Sequence, residues 1–95
     1  MKVRWTPEAE ADRAAIWDYL VARDPNAALR IDRLFSESAA SLADFPMIGH
    51  EGEVAGTREL TPHPNYRLVY EIAADTVWIL VLIHTSRQWP PLRSP

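Results

Sequence analysis

Arg58, Arg67, His84 and Arg87 fall along the C-terminal half of the chain, and Glu51 and Glu53 stand just before them. Side chains of these types can cut RNA without a metal. The 2′-hydroxyl attacks the adjacent phosphorus, a base takes its proton, and an acid protonates the leaving 5′-oxygen. A His and a Glu can supply acid and base, and Arg can stabilise the charge that builds on phosphorus. Each residue also has a plainer use. A histidine that closes a strand is often simply hydrogen-bonded at the surface, and carboxylates in a loop are usually solvated.

The rest of the chain narrows the chemistry. It has 95 residues and no cysteine, so disulfides and thiolate metal sites are excluded. His50, His63 and His84 are too scattered to argue a metal centre. No phosphate-cradling glycine loop and no serine elbow is present, so neither a metal nor a cofactor is expected. The net charge is −3, unevenly placed: residues 1–55 carry ten acidic and six basic side chains, residues 56–95 three and four. An acidic total opposes nucleic-acid binding, which clustered basic charge drives. Nine of the ten basic residues are Arg, the residue suited to bidentate contact with phosphate or carboxylate. The longest apolar run, Val77 to Ile83, is a strand's length and not a membrane span. The opening MKVRWTPEAE lacks a signal-peptide core. A cytoplasmic protein with no membrane contact is expected.

These side chains need a scaffold, and the hydrophobic pattern supplies one. MKVRW alternates as a short first strand. Thr6-Pro7 and Asp24-Pro25 each pair a capping side chain with a proline at the first helical position. Two antiparallel helices follow, the first ending near Arg23 and the second stopped by Phe45-Pro46. Residues 46–56 hold three glycines and no periodicity, so they read as a loop. Thr57–Thr61, Tyr66–Ala73 and Thr76–His84 read as strands, with turns at His63-Pro64-Asn65 and Ala74-Asp75. The last strand is apolar on both faces and is expected inside the sheet. The tail after Pro91 is expected to fray. One domain over residues 1–95 is expected, of class α+β: two antiparallel helices packed on a curved, mainly antiparallel four-stranded sheet in the order β-α-α-β-β-β. Pairing across Ala74-Asp75 should bring the neighbourhoods of Arg67 and His84 together.

Five segments, in this order and spacing, resemble one family. They are WTPEAEADRAAIWDYL, the AALRIDRLF helix ending in LADFPMIGHEG, GTREL, YRLVY and VLIHTSRQWP. Over residues 3–90 the chain resembles the RelE/ParE superfamily of small toxins from bacterial type II toxin–antitoxin modules. The resemblance implies the fold read above and a cognate antitoxin that wraps the toxin in a hetero-oligomer. It implies either of two targets. RelE-like members, the YoeB type included, cleave mRNA in the ribosomal A site without metal; ParE-like members poison DNA gyrase and are not nucleases. By the resemblance, Arg67 matches a catalytic Arg of the RelE branch, Arg87 a second one, and Arg58 a functional Lys that contacts RNA. The YoeB type uses Glu, Arg and His, which Glu51 or Glu53, Arg67 and His84 would supply, with His84 as general acid. Two departures stand out: Leu60 replaces a basic residue of the RelE branch, and its C-terminal catalytic Tyr has no counterpart, Trp89 or His84 standing near its place. The VLxH ending also occurs in ParE-like members. The sequence-level expectation is a toxin that cleaves mRNA on the ribosome. A gyrase poison and a degenerate toxin that only binds antitoxin are the alternatives.

Overall fold

The computed structural model describes residues 1–91, so the tail expected to fray lies outside the described residues. Both capping devices operate. Thr6 Oγ1 accepts the Ala9 N–H at 3.1 Å and opens helix α1, Pro7–Val21. Asp24 Oδ1 accepts the Ala27 N–H at 3.2 Å and opens helix α2, Pro25–Asp44. Each cap contributes about 1 kcal/mol. Helix α2 buries one stripe, Ala28, Ile31, Phe35, Ala39 and Leu42. The helices are tied by the Arg13–Asp32 ion pair at 2.7 Å, with the Arg13 guanidinium also lying over Trp5.

The strands are β1 (Lys2–Trp5), β2 (His50–Glu51), β3 (Thr57–His63), β4 (Tyr66–Ala73) and β5 (Thr76–His84). They form one sheet in the order β1-β5-β4-β3-β2. The expected four-stranded sheet is therefore corrected to five strands with one parallel pair, β1 against β5, from Lys2↔Thr76 to Trp5↔Ile79. A pairing of first strand with last leaves no turn signal in the sequence, and the two helices supply the crossover it requires. The segment read as loop contains β2, whose two-residue ladder, His50↔Glu59 and Glu51↔Arg58, is too short to show alternation. Strand β3 runs on to His63 because Pro62 falls where the β3–β4 register shifts, between Leu60 and His63, so its missing N–H breaks no ladder bond. The bounds of β4 and β5 are those expected. Ala74 turns between them in the left-handed region, at φ 55°.

The β4–β5 ladder contains one irregularity on which much rests. Val69 pairs with Val81, but Tyr70 pairs with Ile79, so Leu80 opposes no residue of β4. The core lies between the helices and one sheet face: Phe35 and Leu42 meet Tyr66, Leu68 and Tyr70 of β4 and Val77, Ile79 and Leu82 of β5. Among the described residues no helix is long and apolar enough to cross a membrane.

Tyr70 reaches through this core. Its fully buried hydroxyl donates to Pro46 O at 2.7 Å and accepts the Gly49 N–H at 3.0 Å. A Cβ on Gly49 would lie 2.7 Å from that hydroxyl, so the approach requires glycine. Tyr70→Phe strands both backbone groups and should cost about 1–3 kcal/mol. The urea midpoint should fall with an unchanged m-value, since the same surface is exposed on unfolding.

Candidate functional site

Strand register decides which candidate side chains share a face. Tyr66 pairs with His84 and Arg67 with Ile83. Neighbouring residues of a strand point to opposite faces. His84 therefore lies on the helix-covered face with Tyr66, and Arg67 projects from the other.

On the helix side, the His84 ring meets Tyr66 edge-on at 5.4 Å. Its Nδ1 accepts the Ser86 N–H at 3.0 Å and lies 2.7 Å from Ser86 Oγ. A backbone N–H can only donate, so in neutral His84 the ring proton sits on Nε2. Arg87 is exposed in the turn beyond, its N–H donating to His84 O at 3.0 Å. His84, Arg87, Tyr66, Tyr19, Leu20 and Asp12 border a groove of about 690 Å³ between α1 and the end of β5. Strand β1 leaves β5 after Ile79, so the outer edge of β5 from Leu80 onward has no strand beside it. Side chains fill in: Asp12 Oδ2 accepts the Leu82 N–H at 3.1 Å, and Thr6 Oγ1 donates to Leu80 O at 3.4 Å.

On the opposite face, Arg67 Nε stands 3.5 Å from Glu59 Oε1. Glu59 is only 3% exposed, and its Oε2 accepts the Glu53 N–H at 3.1 Å. Sequence reading passed Glu59 over. The available signal was its register: Glu59 opposes Val69, which places it diagonal to Arg67 on the same face. Arg58 pairs with Tyr70 and turns its guanidinium inward, donating from Nε to Gly49 O at 2.9 Å and from Nη2 to Met47 O at 3.3 Å. Glu51 is exposed on β2 opposite Arg58, two strands from Arg67, and Glu53 is exposed in the loop beyond it. The fold thus brings His84 and Arg87 together, places Arg58 beside Glu51, and sets Arg67 apart with Glu59. A phosphate lying against Arg67 would be across the sheet from the His84 ring.

The sequence and this arrangement of helices and sheet match known proteins. The family model for the ParE toxin of the type II toxin–antitoxin system parDE matches residues 3–89. The chain belongs to the ParE toxin family. Toxin RelE2 of Caulobacter vibrioides is 37% identical over 86 residues, covering 90% of this chain and 97% of its own length. Y4kP of Sinorhizobium fredii is 34% identical over 90 residues, covering 94% and 93%. Among solved structures, one of the chromosomal ParDE system from P. aeruginosa superposes with a TM-score of 0.78 at 27% identity, covering 88% of this toxin and 95% of that chain. The toxin is therefore one half of a type II module, and a cognate antitoxin is its partner.

Burial raises the Tyr66 phenol above its ordinary pKa of 10.0, and the neighbouring Tyr19 phenol pushes the same way. The folded toxin holds this proton to higher pH than the unfolded chain does. The resulting stability is complete below the unfolded value of about 10 and is lost as pH rises through the folded one. An alkaline absorbance titration should show a phenol that ionises later than free tyrosine, and Tyr66→Phe should remove that component.

Proposed function

We propose that this toxin stops growth by binding a protein, as a ParE-like poison of DNA gyrase, and that it is not a nuclease. One observation carries this reading: the pairing of Tyr66 with His84 and of Arg67 with Ile83 sets the candidate acid and the candidate phosphate cation on opposite faces of the sheet. The Arg67–Glu59 pair supports it, since Arg67 already faces a buried carboxylate. So does the net charge of −3, which repels a polyanion. The toxin would act in the cytoplasm, where this target resides.

Ribosome-dependent mRNA cleavage is the second reading, and similarity to a relative named RelE2 favours it. It would use Arg67 and Arg87 on phosphate, Arg58 on RNA, His84 as acid and Glu51 as base. The readings separate cleanly. A general acid is worth about 10²–10⁴ in rate, so a nuclease would lose its arrest of growth with His84→Ala. A protein-binding poison should keep that arrest in both His84→Ala and Arg67→Ala. Purified toxin, assayed side by side, should block gyrase supercoiling and leave in vitro translation running. Codon-specific cuts in translated mRNA would favour the second reading instead.

The antitoxin would occupy the groove between α1 and the open edge of β5. A strand added there would replace the Asp12 and Thr6 side chains as partners of Leu82 and Leu80, or a helix would fill the groove. Tyr19, 55% exposed at its rim, tests this. Tyr19→Asp should weaken antitoxin binding about tenfold or more while leaving the melting temperature almost unchanged.

A further inference from the structure

Three large apolar side chains stand out from four consecutive residues after α2: Phe45 is 63% exposed, Met47 62% and Ile48 57%. Val54 follows on the same loop system. A small protein seldom leaves such groups in water without a use for them. Their backbone is nonetheless held at many points. Tyr70 fixes Pro46 O and the Gly49 N–H. Arg58 fixes Met47 O and Gly49 O. Glu59 fixes the Glu53 N–H, and Thr57 Oγ1 donates to Val54 O. Buried polar groups are thus committed to a loop whose apolar side chains point outward. A surface held in this way loses little entropy when it docks.

Its electrostatics select the occupant. Met47, Val54 and Ile72 line a recess of about 420 Å³ bordered by Glu51 and by Arg58. Asp44, Glu51 and Glu53 are exposed along the segment, and none joins either ion pair found among the described residues. The cations nearby are turned elsewhere: Arg58 to loop carbonyls, and the N-terminal ammonium to Ala43 O at 3.0 Å. Nucleic acid would meet like charge here, and a second copy would set one acidic rim against another. A protein surface with Lys or Arg around an apolar projection fits. The segment contains β2, at the far end of the sheet order from the β5 edge and its groove, so an antitoxin in that groove leaves it free.

We infer that Phe45–Val54 is the surface by which this toxin grips its protein target and that it takes a basic-rimmed apolar patch on that target. The inference rests on the gyrase reading above. The test uses the full toxin, purified DNA gyrase and the module's own antitoxin. Met47→Asp and Ile48→Asp should each weaken gyrase binding and supercoiling inhibition about tenfold or more. The double variant Glu51→Lys/Glu53→Lys should weaken both about fivefold, with the larger loss at low salt. Antitoxin affinity should stay within about twofold throughout, because the groove is untouched. If the aspartate variants bind gyrase as the wild type does, the inference fails and the gyrase reading stands. Wild-type toxin that neither binds nor inhibits gyrase overturns both. Loss of antitoxin affinity with gyrase binding intact assigns the segment to the antitoxin and overturns the inference. Should an aspartate variant unfold, the charge-reversed pair, on exposed side chains, decides.

Discussion

A single unpaired residue, Leu80, sets the relation between the two halves of the β4–β5 ladder. The hairpin starts with Ala73 opposite Thr76. Carried on without interruption, that register would place Leu82 opposite Arg67, with His84 diagonal to Arg67 on the same face. The bulge shifts it by one. Val77 and Ile79 face the helices before it, and Leu82 and His84 face them after it. A one-residue shift in a strand moves every later side chain to the other face. Here it carries Leu82 into the core and His84 into the α1 groove, and it leaves Arg67 on the far side with Ile83.

The polar groups of β3 and β4 make a second allocation. Tyr70, Arg58 and Glu59 look at first like a buried phenol, a free cation and a free acid. All three bind backbone of the segment after α2. The sheet therefore supplies rigidity to a loop that has no helix and only a two-residue strand of its own. Satisfying buried donors and acceptors in this way is what allows irregular chain to lie against a core. It also removes these groups from the pool available for chemistry, because a guanidinium that donates inward from two nitrogens presents fewer donors to a phosphate.

Much of this fold is legible from local signals. Thr6-Pro7 and Asp24-Pro25 mark the helix starts because caps act within a few residues. Tyr66–Ala73 and Thr76–His84 are legible because β-branched and aromatic runs end at turn residues. Long-range pairing is not. Nothing near Lys2–Trp5 announces a parallel partner more than seventy residues away, and His50–Glu51 is too short to carry a period. The bulge hides for a different reason: Val77–Ile83 is apolar on both faces, so a shift of register leaves the pattern looking the same. The site inherits that blindness. Arg67 and His84 are correctly placed near the strand ends, but which face each occupies depends on Leu80. Glu59 could be seen as an acid on a strand, yet its burial against Gly52 and Glu53 follows from the turn after β2, which the sequence does not display.

Members of one fold can differ in activity without exchanging many residues, because function lies in sites and not in the fold itself. For this sheet the deciding quantity is the face on which a side chain emerges. Arg and His at matching sequence positions would form one phosphate site in a ladder of even register and two unrelated surfaces in a bulged one. Residue identity alone therefore transfers activity poorly between the nuclease and the gyrase-poison branches. Register against the neighbouring strand, together with the partner each charged group already has, discriminates better. In this toxin Arg67 faces a carboxylate, Arg58 faces carbonyls, and His84 borders a groove of mixed polar and apolar lining beside α1, the arrangement on which the proposal of a protein target rests. Along Phe45–Val54 the outward side chains are mainly apolar or acidic, and surfaces of that kind are complementary to protein.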